Sequence, residues 1–403
     1  MRITGGKLFT GDFQFCDGEL EILDGEIHKV FYEAEDRDRG RLTVPEMGQR
    51  TVPCPILDAT GCYVIPGLID LHFHGCMGDD FCDGTMEAIR TLAEYEAKEG
   101  ITAIAPATLT LPVEELKAIL ACAAAYAKQG RSPERADLVG INMEGPFISH
   151  VKKGAQNEKY ILPCSARICR EFVEASEGLV KIIGLAPEEN PDYAAYIREV
   201  KGLVKVSLAH TNADYDTAMA AFAAGADHAV HLFNAMPEMT HRAPGVVGAA
   251  ADSPHVMAEL ICDGNHVHPA AVRAAFSMLG DARMILISDS LRATGLGDGR
   301  ILLGGQEVIV HGTKAVLAEG GNLAGSVTNL MECMRIAVRE MGIPLESAVR
   351  CASANPAKAL GIDDRYGKLL PGMRANVVLL REEDLSVKAV VKDGRLLRAD
   401  GAK

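Results

Sequence analysis

Six residues carry the chemistry legible in this sequence: His72, His74, Glu144, His210, His231 and Asp289. His72 and His74 are two apart, so in an extended chain both imidazoles face the same side and can serve one metal region. Glu144 stands in Asn-Met-Glu-Gly-Pro, and His210 and His231 each end or enter a short apolar run. A lone histidine of this kind is more often a hydrogen-bonded structural residue. With Glu144, however, the two make a His2Glu set, a ligand shell that leaves positions open for water. Asp289 follows four apolar residues and Ser288. Beside metal-activated water, a carboxylate there can take a proton during attack and return it to a leaving group. Alone it would be read as a helix cap or an ion-pair partner. As part of the set it points to metal-dependent hydrolysis of a bond that the residues leave unspecified.

These positions acquire a common origin from the elements that precede them. Apolar runs at Val64–Leu71, Thr102–Thr108, Leu138–Met143, Val180–Leu185, Val204–Ala209, His228–Leu232, Val256–Cys262 and Met284–Ser288 read as buried parallel strands. Helical stripes lie between most of them, as at Met86, Ile89, Ala93 and Ala97 or at Leu116, Ile119, Leu120 and Ala123. The link from Leu232 to Val256 reads as Pro/Gly loop rather than helix. This rhythm predicts an α/β fold, a (β/α)8 TIM-type barrel, whose catalytic groups sit at the C-terminal strand ends. Asp263 and His266 follow the seventh run in the same way. A doubly wound sheet is the alternative, but no GxGxxG follows an early strand. Short β-prone pieces at Met1–Thr4, Glu19–Leu23 and Ile27–Tyr32 are set off by turn signals at Asp17-Gly18 and Asp24-Gly25. The pattern returns at Ala375–Leu380 and Ser386–Val391, so both termini are expected to build one small β domain. The charged stretch Glu33–Arg50 reads as an exposed loop.

Composition narrows the function. The chain has 403 residues, a formal net charge of −14 and 48% hydrophobic residues, enough for a sizeable core. The acidic balance argues against nucleic acid or an anionic membrane surface as partner. No apolar run approaches the roughly 20 residues of a membrane span, and no signal-peptide core opens the chain. Eleven cysteines without a CxxC pair read as reduced thiols of a cytoplasmic protein. Cys76 and Cys82, near the presumed metal, read as packing residues. Lys152-Lys153 reads as a loop flank.

The sequence Val-Ile-Pro-Gly-Leu-Ile-Asp-Leu-His-Phe-His-Gly at 64–75 resembles the opening of the amidohydrolase superfamily. The motifs at 142–147, 209–213, 231–237, 262–267, 288–293, 322–326 and 355–361, led by Glu-Gly-Pro-Phe and His-Leu-Phe-Asn-Ala-Met-Pro, resemble in order its N-acetylglucosamine-6-phosphate deacetylase family. The resemblance implies a barrel at 64–361, a small β-sandwich from 1–63 and 362–403, and a homodimer. It implies a divalent metal, zinc first with Fe2+ or another transition metal as alternatives. Glu144, His210 and His231 match the principal metal site; His72 and His74 match a pair that supports a second ion in some members, so one or two ions are expected. Asp289 matches the catalytic acid/base. Ala155, Gln156, Asn234, Ala235, Arg242, Asp263, His266, Leu323, Ala324 and Gly325 match substrate contacts, with Arg242 and His266 on the phosphate and Arg242 reaching across a dimer interface.

One position departs from the family pattern. Gln156 stands where relatives commonly carry a histidine that polarises the acetyl carbonyl. Gln donates an amide N–H but carries no charge, and it is preferred here over His150 taking the role. The implied reaction is release of acetate from N-acetylglucosamine 6-phosphate. The competing readings are the N-acetylgalactosamine epimer, another amidohydrolase deacylation, and an inactive barrel serving as a scaffold.

Overall fold

A computed structural model describes residues 1–32, 41–43 and 55–400. Eight parallel strands close a barrel: Leu68–Asp70, Ile101–Ile104 (resumed at Ala107–Thr108), Ile141–Phe147, Val180–Leu185, Lys205–Leu208, His228–Ala229, Met257–Ile261 and Met284–Ile287. Each pairs in parallel with the next. The ring is completed where the Asp289 amide donates to the His72 carbonyl at 2.9 Å. Alternation along the strands separates two cores. Ile69, Leu71, Ala103, Ala105, Ile285 and Ile287 cluster inside the barrel with Ala357 and Leu360 of the helix Ala354–Leu360. Leu68, Ile101, Ile104, Ile183 and Leu286 pack outward in the larger cluster that includes the helices. The mouth is thereby left to polar side chains.

The helix Gly245–Asp252 fills the link expected as loop. Six of its eight residues, Gly245 through Ala250, are buried, so it has no polar face and no 3.6-residue stripe by which to recognise it. After the eighth strand come three antiparallel strands, Gly299–Leu303, Gln306–His311 and Lys314–Leu317. Val308, Val310, Ala315 and Leu317 pack there against Leu109, Leu291 and Ala324, so this sheet caps one side of the mouth.

Both termini join in one nine-strand sheet. Cys62–Pro66 lies between Val377–Arg381 and Arg2–Phe9 within it, so the apolar run 64–71 changes sheet at Gly67. A Cβ at Gly67 would stand 2.2 Å from Thr102 Oγ1. Asp24-Gly25 and Asp393-Gly394 are turns with positive φ at both residues. Asp17-Gly18, expected as a turn, runs inside the strand Phe15–Leu23. Gly18 serves close approach instead, since a Cβ would meet the Phe31 carbonyl at 2.3 Å. Of Glu33–Arg50, all but the strand Arg41–Thr43 lies outside the described residues. Among the described residues no helix is long and apolar enough to cross a membrane.

One buried group costs stability. Glu96, in the helix Met86–Lys98, is 0% exposed, and neither carboxylate oxygen has a hydrogen-bond partner among the described residues. Burial, and then the charge of Asp70, pushes its pKa well above the usual 4.5. A raised folded-state pKa means that stability is full below about pH 4.5 and is lost as pH climbs toward the folded value. Glu96→Leu is therefore expected to raise the thermal midpoint, the gain being larger at pH 8 than at pH 5. An unsatisfied buried group costs about 1–3 kcal/mol. Melts at the two pH values check this; an equal shift, or a fall at pH 8, contradicts it.

Candidate metal centre

The six residues singled out by chemistry meet at the C-terminal end of the barrel. Their ligand atoms form two converging sets, Glu144 with His210 and His231, and His72 with His74 and Asp289; within each set the atoms lie within 4.8 Å of one another, and all six residues are buried. Glu144 joins the sets. Its Oε1 lies 3.0 Å from His210 Nε2, 2.9 Å from His231 Nε2 and 3.4 Å from His72 Nε2, while Oε2 lies 3.3 Å from His74 Nε2. His74 Nε2 is also 3.3 Å from Asp289 Oδ1.

The backbone is bent to aim these side chains. His210, His231 and Asp289 have φ of 44°, 27° and 50°, and the nearby Phe233 and Ala235 share the left-handed region. Non-glycine residues pay for that conformation, and such strain gathers at functional sites. The outer nitrogens are then held. His210 Nδ1 donates to the Lys152 carbonyl at 2.8 Å and His231 Nδ1 to the Asn234 carbonyl at 3.1 Å, which turns the bare Nε2 atoms inward. His72 Nδ1 donates to Glu259 Oε2 at 2.8 Å.

Glu259 escapes the sequence reading. It is fully buried in the seventh strand and takes His72, His228 Nε2 at 2.8 Å and Asn142 Nδ2 at 3.1 Å. The one available signal was a carboxylate interrupting the apolar run Val256–Cys262. Burial opposes its charge, yet His72 and His228 hold its pKa well below the usual carboxylate range. For Glu144 the opposing groups are His210, His231 and His72, and for Asp289 they are His74 and His72; both carboxyls are held low against burial.

A divalent metal fits this set. The two His210 and His231 Nε2 atoms approach to 3.2 Å beside an ionised carboxylate, while His72 Nε2 is buried and makes no hydrogen bond among the described residues. Converging bare nitrogens and buried negative charge are what a cation satisfies. Cys76 and Cys82 belong to neither set, and burial pushes both thiols up.

A cavity of roughly 510 Å³ opens above. It is lined by His74, Glu144, His210, His231 and Asp289 on its floor, and by Ala155, Gln156, Asn234, Ala235, His266, Leu323, Ala324 and Gly325 on its walls. Lys152, Lys153, Leu109, Leu291, Leu303 and Asn322 also line it; none was singled out as a contact from sequence, and Lys152-Lys153 is more than a loop flank. Asp263 stands behind the wall, its Oδ2 accepting from His266 Nδ1 at 2.8 Å. Arg242 is exposed and does not line the cavity. Gln156 is buried; its Nε2 donates to Glu144 Oε2 at 2.6 Å and its Oε1 accepts from the Thr110 amide at 2.7 Å. His150 points away, toward Glu189 at 3.3 Å, with its side chain 58% exposed.

Comparison with known proteins places this arrangement. The model of the Amidohydrolase family matches residues 63–397. The chain is 37% identical over 336 residues to the N-acetylglucosamine-6-phosphate deacetylase of Vibrio furnissii, covering 83% of this chain and 82% of that protein. It is 35% identical over 391 residues to the N-acetylgalactosamine-6-phosphate deacetylase of Escherichia coli O157:H7, covering 97% of each. Among solved structures, it superposes with a TM-score of 0.87 and 31% identity on a mutant N-acetyl-D-glucosamine-6-phosphate deacetylase from Mycobacterium smegmatis in complex with N-acetyl-D-glucosamine-6-phosphate, covering 98% of this chain and 99% of that one.

Proposed function

Because the chain belongs to the amidohydrolase family, we propose that its cavity binds N-acetylglucosamine 6-phosphate and hydrolyses the acetamide to glucosamine 6-phosphate and acetate. The observation that carries this reading is the convergence of Glu144, His210 and His231 beside Asp289 on the cavity floor. Glu144, His210 and His231 would hold the principal ion, and His72, His74 and Asp289 a second. The mixed nitrogen and oxygen donors suit zinc, with Fe2+ or another transition metal as competitors. When bound, the metal supplies a water of lowered pKa and polarises the acyl oxygen.

The chain's own residues do the remainder. Asp289, ionised and facing the cavity, takes the proton of the attacking water and delivers it to the nitrogen as the C–N bond breaks, so the amine departs neutral. Gln156 is held between Glu144 and Thr110 and turns a neutral amide donor toward the acyl group, a weaker oxyanion partner than imidazolium. Asn234, Ala235, Ala155 and the Leu323–Gly325 loop border the sugar; His266, fixed by Asp263, serves the phosphate. Arg242, exposed and off the wall of its own cavity, would reach a phosphate only from a second subunit, as the homodimer implied by the resemblance requires. Ten free thiols among the described residues suit a reducing, cytoplasmic setting.

The epimeric N-acetylgalactosamine 6-phosphate is the second reading, favoured by a relative matched over 97% of both chains. Metal analysis of the purified protein, with acetate release measured on both sugar phosphates, tests the proposal. Bound divalent metal and equimolar acetate and amine are expected. Turnover of N-acyl amino acids above either sugar phosphate contradicts it.

A further inference from the structure

We propose that Lys152 holds the substrate's phosphate within the chain's own cavity and so sets its preference for a phosphorylated sugar; this rests on the sugar-phosphate reading above. The protein's net charge is −14, and Glu144 and Asp289 lie on the cavity floor. A phosphate dianion therefore enters against the overall field and needs local positive charge. Three side chains of the wall can offer it: Lys152, Lys153 and His266. Two already have a carboxylate beside them, and of these His266 keeps only its Nε2 to donate to the phosphate. Lys153 Nζ lies 2.6 Å from Glu158 Oε2, and His266 Nδ1 lies 2.8 Å from Asp263 Oδ2.

Lys152 differs from both. It is half-buried, and among the described residues no hydrogen bond or ion pair engages its ammonium. Its backbone is anchored at the metal centre, since its carbonyl accepts from His210 Nδ1 at 2.8 Å. The following turn is closed by the Gln156 amide donating to the Lys153 carbonyl at 2.9 Å. At Gly154, with φ of +58°, a Cβ would press on His210 Cε1 at 3.1 Å. The ammonium thus hangs from a fixed point beside the ligands, with no carboxylate among the described residues paired to it. C2 and C6 lie on opposite sides of a hexosamine ring. An acetamide seated on the floor therefore sends the phosphate to the rim, where a compact, mobile ammonium is suited to meet it.

The test compares kcat/KM on the 6-phosphate and on the unphosphorylated N-acetylhexosamine for the metal-loaded wild type, Lys152→Met, Lys152→Arg and Lys153→Met. Loss of one charge-assisted contact is expected to lower the preference for the phosphorylated sugar by about 10- to 100-fold in Lys152→Met. The change should fall on KM rather than kcat, and Lys152→Arg should restore much of it. Where the unphosphorylated sugar turns over too slowly, competitive inhibition by inorganic phosphate gives the same comparison, with Ki rising in Lys152→Met. Equal losses on both sugars would mean a packing role for the loop and overturn the proposal. So would an unchanged preference, or one that moves only in Lys153→Met. A wild type with no preference for the phosphate ester instead overturns the substrate reading itself.

Discussion

Asp289→Asn is expected to lower kcat/KM by at least about 10³-fold while the protein stays folded and keeps metal at Glu144, His210 and His231. General acid–base catalysis contributes about 10²–10⁴-fold, and here one carboxylate serves both proton transfers. The substitution removes the proton acceptor, and with it the one carboxylate of the His72–His74–Asp289 set, but leaves the Glu144–His210–His231 set intact. Asp289 stands at φ 50°, a conformation that asparagine tolerates nearly as well as aspartate. Its backbone is fixed on both sides: its amide donates to the His72 carbonyl at 2.9 Å, and its carbonyl accepts from the Ser326 amide at 2.7 Å. Turnover, metal content and thermal midpoint, measured together, decide the point. Activity within threefold of wild type would contradict the acid/base assignment.

The reasons some of this was legible in the sequence are physical. Barrel strands are short apolar runs, and a polar residue that ends such a run emerges at the mouth. His72, Glu144, His210, Asp263 and Asp289 were found by that rule. Glu259 was not, because it sits inside its run and acts by fixing His72 and His228 from within the barrel wall. The helix Gly245–Asp252 was missed for the opposite reason, being buried nearly all round. The sheet Gly299–Leu317 had a turn signal in Gly304-Gly305 and a β-prone run in Val308-Ile309-Val310, but these lie past the eighth barrel run and carry no alternation of strand with helix. Asp17-Gly18 shows a turn signal overruled by packing, its glycine being required by the Phe31 carbonyl. Lys152 could not be judged from sequence, because its lack of a partner is known only once Glu158 is seen to take Lys153.

Glu144→Gln should have a different signature, loss of metal and turnover together. One carboxylate faces four imidazoles, with Oε1 near His210, His231 and His72 and Oε2 near His74 and the Gln156 amide. A carboxamide cannot meet that demand. If its oxygen takes the Oε1 position, its NH2 group faces the donor Nε2 of Gln156; if it is turned over, the NH2 group donates to the bare Nε2 atoms of His210 and His231 and occupies the lone pairs that a cation needs. Either way a negative charge is lost where three elements of the barrel mouth converge. Losing an outer partner of a ligand already costs about 10- to 100-fold in metal affinity, so losing the ligand that joins both sets is expected to cost at least about 100-fold. The thermal midpoint should then stop responding to added metal, because stabilisation by a ligand follows its affinity for the folded chain. Metal titration followed by calorimetry reads both effects. Retained metal with lost turnover would move Glu144 from ligand to proton carrier and leave His210 and His231 to hold the ion without it.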